Sequence, residues 1–124
     1  MEVFISPLRK RSQFVRIAQK GRKFSSAGLI LQMRKLDEDI DSQNQRGKKI
    51  IEVGYTASQR VGGAVSRNKA KRRLRSVAAK VLLKHAKWNH GYVLVARPST
   101  NEVDFYSLVE ELEYCLKKLN VYRK

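Results

Sequence analysis

Between Ala70 and Leu82 the apolar residues fall at Ala70, Leu74, Val77, Ala78, Val81 and Leu82. At roughly 100° per residue this i, i+4, i+7, i+8 spacing puts all six on one side of a helix packed against a core. Asn68, Arg72 and Arg75 fall on the opposite half, with Lys69 and Ser76 beside them. The pattern predicts a helix with an apolar back and a cationic front, entered through a short turn at Arg60-Val61-Gly62-Gly63. A second stripe, Leu108, Leu112, Cys115, Leu116 and Leu119, predicts a C-terminal helix capped by Asp104. Near the start, Ser12 is the expected N-cap of a shorter helix with Phe14, Ile17 and Ala18 on one face and Gly21 as its stop.

Strands are predicted where the period changes to two. Leu29, Leu31 and Met33 alternate with Ile30, Gln32 and Arg34, which reads as a strand with one buried face. Lys49–Ala57 is a second strand, with Ile50 or Ile51, Val53 and Tyr55 as its β-branched and aromatic residues. The apolar run from Gly91 to Ala96, ended by Pro98, reads as a buried third. Another short strand has room near Phe24 or inside 35–49, a polar segment otherwise expected to be a mobile loop. The order α-β-β-β-α-β-α predicts an α+β fold, a small mixed sheet with helices on one face, in a single domain spanning 1–124. The cationic helix can join two parallel strands, for which general topology favours a right-handed crossover.

Charge changes the picture more than composition does. The chain carries a net charge of +16, with a pI near 10.4. Arg67, Lys69, Lys71, Arg72, Arg73 and Arg75 crowd the first turns of one helix. Like charges at i, i+4 cost roughly a few tenths of a kcal/mol per pair. Cations near a helix N-terminus cost about 0.3–1 kcal/mol each against the macrodipole. A merely solvated face would intersperse Glu, yet Gln59 to Asn101 contains no Asp or Glu. A polyanion reverses both penalties, so a nucleic-acid surface is expected here, binding in a salt-dependent way.

Other chemistry has less to stand on. Asp37, Glu38, Asp39 and Asp41 lack calcium-loop spacing and read as solvated loop acids rather than a metal site. His85 and His90 lack the partners of a zinc set. Trp88 either packs over a helix end or stacks on a base. Gly62 and Gly63 either form an anion-binding nest or serve only to permit positive φ. Glu110, Glu111 and Glu113 sit near a helix start, where the dipole favours them, and Cys115 falls on the buried stripe. No Ser–His–Asp set, paired-carboxylate pocket or phosphate-cradling Gly-x-x-x-x-Gly-Lys-[Ser/Thr] loop can be assembled. One cysteine, no signal-like apolar start and no membrane-spanning run point to a cytoplasmic protein without a membrane partner.

Ser58, Gly62, Ala64, Val65, Arg67, Asn68, Lys69, Lys71, Arg72 and Arg75 together resemble the signature of the protein subunit of bacterial ribonuclease P. Lys69 stands where that family usually has Arg, Gly63 where it often has Asn, and Ala70 where a larger aliphatic is common. The similarity runs from about Ser12 to Leu119 and includes the Ala96-Arg97-Pro98 strand ending. The resemblance implies a ribosomal S5 domain 2-like fold whose crossover through the basic helix is left-handed. It implies a protein cofactor without catalytic side chains, in which an RNA subunit performs the Mg2+-dependent 5′ maturation of precursor tRNA and binds most of the Mg2+. Arg67, Asn68, Lys69, Lys71, Arg72 and Arg75 would then dock on the ribonuclease P RNA. Phe14 and Arg60 would line a cleft for the single-stranded precursor leader, with no small-molecule substrate. Ala18 stands where relatives carry a second aromatic. From the residues alone Phe14 is equally a core side chain. Three other classes stay open: a basic ribosomal or assembly protein, a self-contained nuclease and a DNA-compacting protein.

Overall fold

The computed structural model describes residues 3–36 and 49–124. In chain order the elements are β1 (Val3–Pro7), α1 (Arg11–Lys20), β2 (Arg22–Ser25), β3 (Leu29–Lys35), β4 (Lys49–Thr56), a 3-10 turn (Gln59–Val61), α2 (Ala64–His85), β5 (His90–Ala96), a second 3-10 turn (Pro98–Asn101) and α3 (Phe105–Lys118). The strands form one mixed sheet in the order β1-β4-β5-β3-β2. β4 pairs in parallel with both β1 and β5, whereas β3 is antiparallel to β5 and to β2. α2 is therefore the crossover between adjacent parallel strands.

The main core lies between the sheet and α2 and α3. Leu29, Leu31 and Met33 from β3, Ile51 and Val53 from β4, and Tyr92, Leu94 and Ala96 from β5 meet the two helical stripes there. All six apolar positions of α2 are buried, as are Leu108, Leu112, Cys115, Leu116 and Leu119. A side chain such as Leu74, at 0% exposure, is worth about 2–5 kcal/mol against alanine.

α1 corrects the expectation of helices on one face. Its Ile17 packs with Leu8 and Val93, and Phe14 and Val95 join them in a separate cluster. Val93 and Val95 alternate with Tyr92, Leu94 and Ala96 along β5, so α1 covers the sheet face opposite α2 and α3. The hint was the unbroken apolar run of β5, which a strand needs when both faces are covered.

β1 corrects the element order, which begins with a strand. Val3–Pro7 adds a parallel edge strand, Phe4 beside Ile50 and Ser6 beside Glu52. Neither face of it is deeply covered, with Phe4 43% and Ile5 40% exposed, so no alternation marks it in the sequence. Its terminal proline suits an edge strand, which has no further partner to donate to. β2 forms at Phe24, where the short extra strand had room.

The start of α1 also differs from expectation. The helix begins at Arg11 and Ser12 lies inside it. Its cap is made by Gln13, whose Oε1 accepts from the backbone N–H groups of Arg9 and Lys10, both at 2.9 Å. Gly21 does end the helix, for a steric reason. A Cβ there would stand 2.1 Å from the Met33 carbonyl oxygen, so only glycine lets the helix end approach β3 this closely. The segment 35–49 keeps its ends, Lys35 in β3 and Lys49 in β4, whereas Asp37, Glu38, Asp39 and Asp41 lie outside the described residues.

Candidate nucleic-acid interface

β4 delivers the chain to the 3-10 turn, whose first backbone amides are met by Ser58: its Oγ accepts from Arg60 N–H at 3.3 Å. Gly62 has φ 137° and ψ −159°, a region essentially open to glycine alone. Gly63 is different. It has an ordinary φ of −73° as the N-cap of α2, and an added Cβ would meet nothing within 4 Å. Positive φ thus accounts for the first glycine and not for the second.

The helix back is buried in the core, and this fixes which way its cations face. Asn68, Lys69, Arg72 and Arg75 are exposed, and Arg67 and Lys71 are half-buried at the edges of that front. The first turn is held by Asn101, whose Nδ2 donates to the Ser66 carbonyl at 3.0 Å. Arg75 sits with its guanidinium carbon 5.2 Å from the centroid of the Tyr55 ring, a cation–π contact joining the helix front to β4. Burial raises the Tyr55 hydroxyl above its ordinary pKa, with Arg75 opposing the shift.

Arg73 leaves the cationic front. Its guanidinium donates through Nη1 to the Thr100 carbonyl and through Nη2 to the Val103 carbonyl at 2.7 Å. It is a bolt between α2 and the segment leading to α3. Nothing in the local sequence separates it from the cations on either side.

Of the two residues expected at a second surface, Phe14 lies on the other sheet face. Phe14 is half-buried in the cluster of Leu8, Ile17, Val93 and Val95. Its ring rests on the backbone of β4, since a Cβ at Gly54 would be 2.4 Å from Phe14 Cε1 and 3.1 Å from Leu8 Cδ1. Phe14 is therefore anchored and still partly open. Arg60 is exposed in the 3-10 turn beyond the end of β4, and the packed cluster around Phe14 does not include it. Gly54 and Leu8, both buried, were missed as the packing that holds Phe14 in place. A glycine inside a strand pattern is itself a sign of close approach.

The remaining candidates have structural roles. Glu111 Oε1 accepts from Gly28 N–H at 2.6 Å and from Ser26 Oγ at 2.7 Å, fixing the β2–β3 turn to α3. Glu113 lies 3.7 Å from His85 Nε2. Asp104 caps α3 by accepting from the N–H groups of Tyr106 and Ser107. Cys115 is fully buried, and burial pushes its thiol up to about 11. Among the described residues no three His, Cys, Asp or Glu side chains come together as a metal-binding group. No described helix is long and apolar enough to cross a membrane.

A family model described as Ribonuclease P matches residues 6–120. The ribonuclease P protein component of Paramagnetospirillum magneticum is 35% identical, across 100% of this chain and 90% of its own length. That of Ruegeria pomeroyi is 41% identical, covering 94% and 87% respectively. Among solved structures, the RNase P protein of Staphylococcus aureus superposes with a TM-score of 0.72 at 24% identity, covering 94% of this chain and 97% of that one. The RNase P protein of Thermotoga maritima gives 0.68, also at 24%, covering 92% and 94%. The relatives match nearly end to end and the solved structures share the fold: the chain belongs to the ribonuclease P protein family.

Proposed function

We propose that this chain is the non-catalytic protein subunit of ribonuclease P, and that it helps a catalytic RNA remove the 5′ leader of precursor tRNA. The observation that carries this reading is the acid-free cationic front of α2, held rigidly outward by a back that is wholly buried. Arg67, Asn68, Lys69, Lys71, Arg72 and Arg75 dock on the ribonuclease P RNA. Guanidinium groups make forked contacts to phosphate oxygens and ammonium groups act as point charges. Because the backbone of this helix is already ordered, the entropy lost when the RNA binds is mainly that of the side-chain rotamers.

Phe14, and Arg60 near the exit of β4, serve the single-stranded leader. A partly open aromatic ring anchored on a strand offers a stacking platform, and an exposed cation in the turn after β4 offers charge to the leader backbone. Mg2+ is supplied to the reaction mainly through the RNA, and the chain's contribution is to neutralise phosphates so that substrate and RNA come together. Both partners are RNA, and the place of action is the cytoplasm.

Arg67→Ala and Arg72→Ala each remove one docking cation. The expected result is weaker binding to ribonuclease P RNA, with a log–log salt slope smaller by about one for each variant, and with circular dichroism and melting unchanged. Two folded variants binding that RNA as tightly as the parent protein would remove the docking assignment.

A further inference from the structure

At the far end of α2 the chain's last residues close on the helix. Ala86 bridges Tyr122, Lys87 N–H donates to the Val121 carbonyl at 2.9 Å, and Arg123 donates through Nη2 to the Leu83 carbonyl at 2.6 Å and through Nε to that of Ala86 at 3.2 Å. This closure gathers aromatic rings and cations in one place. Lys49 Nζ lies 3.6 Å and the Arg123 guanidinium carbon 4.5 Å from the centroid of the Trp88 ring. His85 stacks on Tyr122 with centroids 4.7 Å apart, and Lys117 Nζ lies 4.7 Å from the Tyr122 centroid.

We infer that this cluster is a second RNA-contacting surface, which grips phosphates of the same RNA at a distance from the front of α2. The inference rests on the cofactor reading above. The Arg123 guanidinium is engaged by the Leu83 and Ala86 carbonyls, so Lys49 and Lys117 are the cations left to meet a phosphate, and their charge adds to that of Arg123 beside the rings. Because cations occupy the ring, the surface offers charge and not a free stacking face, so it binds the RNA backbone without regard to base. Arg75 and His85 are ten residues apart on the helix, about 15 Å along its axis. That is beyond a Debye length of about 8 Å at physiological salt, so the two surfaces engage different phosphates. Two linked contacts of this kind fix the orientation of the protein on the RNA, which one patch alone does not.

Trp88 is the chain's one tryptophan, so its emission reports on this surface directly. Its Nε1 is buried without a hydrogen-bond partner among the described residues, leaving the ring's surroundings set by packing and the two cations. The experiment titrates the full protein with ribonuclease P RNA, reading Trp88 emission and filter binding together, for the parent and a Lys49→Gln/Lys117→Gln double variant checked by melting. A saturable emission change is expected at the RNA concentration where binding saturates. The double variant should bind about fivefold more weakly, with a log–log salt slope smaller by about two. The inference stands only if emission, affinity and salt slope all move. Tight binding with a silent Trp88, or with an unaltered double variant, overturns it alone. Failure of the parent to bind that RNA overturns the cofactor reading and this surface with it.

Discussion

The ring of Phe14 lies directly on the backbone of Gly54, so closely that one added carbon would stand 2.4 Å from Cε1. A helix on one face of the sheet and the strand leading to α2 are thereby joined at the candidate leader surface. Gly54→Ala should push the ring away and cost about 1–3 kcal/mol. Phe14→Ala, at a half-buried site, should cost about 2 kcal/mol. Both should weaken binding of leader-bearing precursor tRNA to the holoenzyme while leaving mature tRNA binding unchanged. Paired titrations of the two substrates check this, and equal losses for both would remove the leader role.

Neighbouring arginines should behave in opposite ways. Arg73→Ala strips donors from the Thr100 and Val103 carbonyls, and the expected loss is about 1–3 kcal/mol in urea unfolding. Arg72→Ala, exposed, should leave stability within about 0.5 kcal/mol and lower the salt slope of RNA binding by about one. The reverse assignment of effects would contradict the geometry of the helix front.

The two glycines before α2 separate in the same manner. Gly62→Ala forces a side chain into φ 137°, at a cost of about 1–3 kcal/mol. Gly63→Asn should be neutral or stabilising by a few tenths of a kcal/mol, because asparagine is a favoured N-cap. Thermal melting of the two variants decides the matter.

His90 should make stability fall in mild acid. Burial holds its imidazole below the ordinary range, with Lys87, Lys35 and Arg22 adding to the effect and the hydrogen bond from Nδ1 to the Trp88 carbonyl, 2.7 Å, opposing it. The unfolded chain therefore takes up the proton more readily. The contribution is present above the unfolded value of about 6.5 and lost as pH falls below it. Between pH 7.5 and 5.5 the parent should lose more unfolding free energy in urea than His90→Asn, and equal losses would refute this.

What could be read from the sequence followed from periodicity and charge. The six-position stripe of α2 is buried as spaced, because a helix with one apolar side has one way to lie on a sheet. The cationic front follows from that stripe by geometry. Asp104 and Gly21 were legible from local chemistry, whereas the short strand at Phe24 was one of two places left open for it. β1 was not, because its pairing with β4 spans more than forty residues and its side chains are largely open. The face chosen by α1 was only hinted at by the two-sided apolar run of β5, since Phe14 and Ile17 would themselves suit either side of the sheet. The inward turn of Arg73 depends on carbonyls nearly thirty residues away, which no local pattern encodes.

The central claim is that this protein makes an RNA catalyst effective. Precursor-tRNA cleavage at low Mg2+, with a bacterial ribonuclease P RNA and with or without this chain, tests it most directly. Cleavage at the mature 5′ end that requires both components is the predicted result. Tight RNA binding with no stimulation of cleavage would contradict the claim and leave a basic RNA-binding fold of the ribosome-assembly kind.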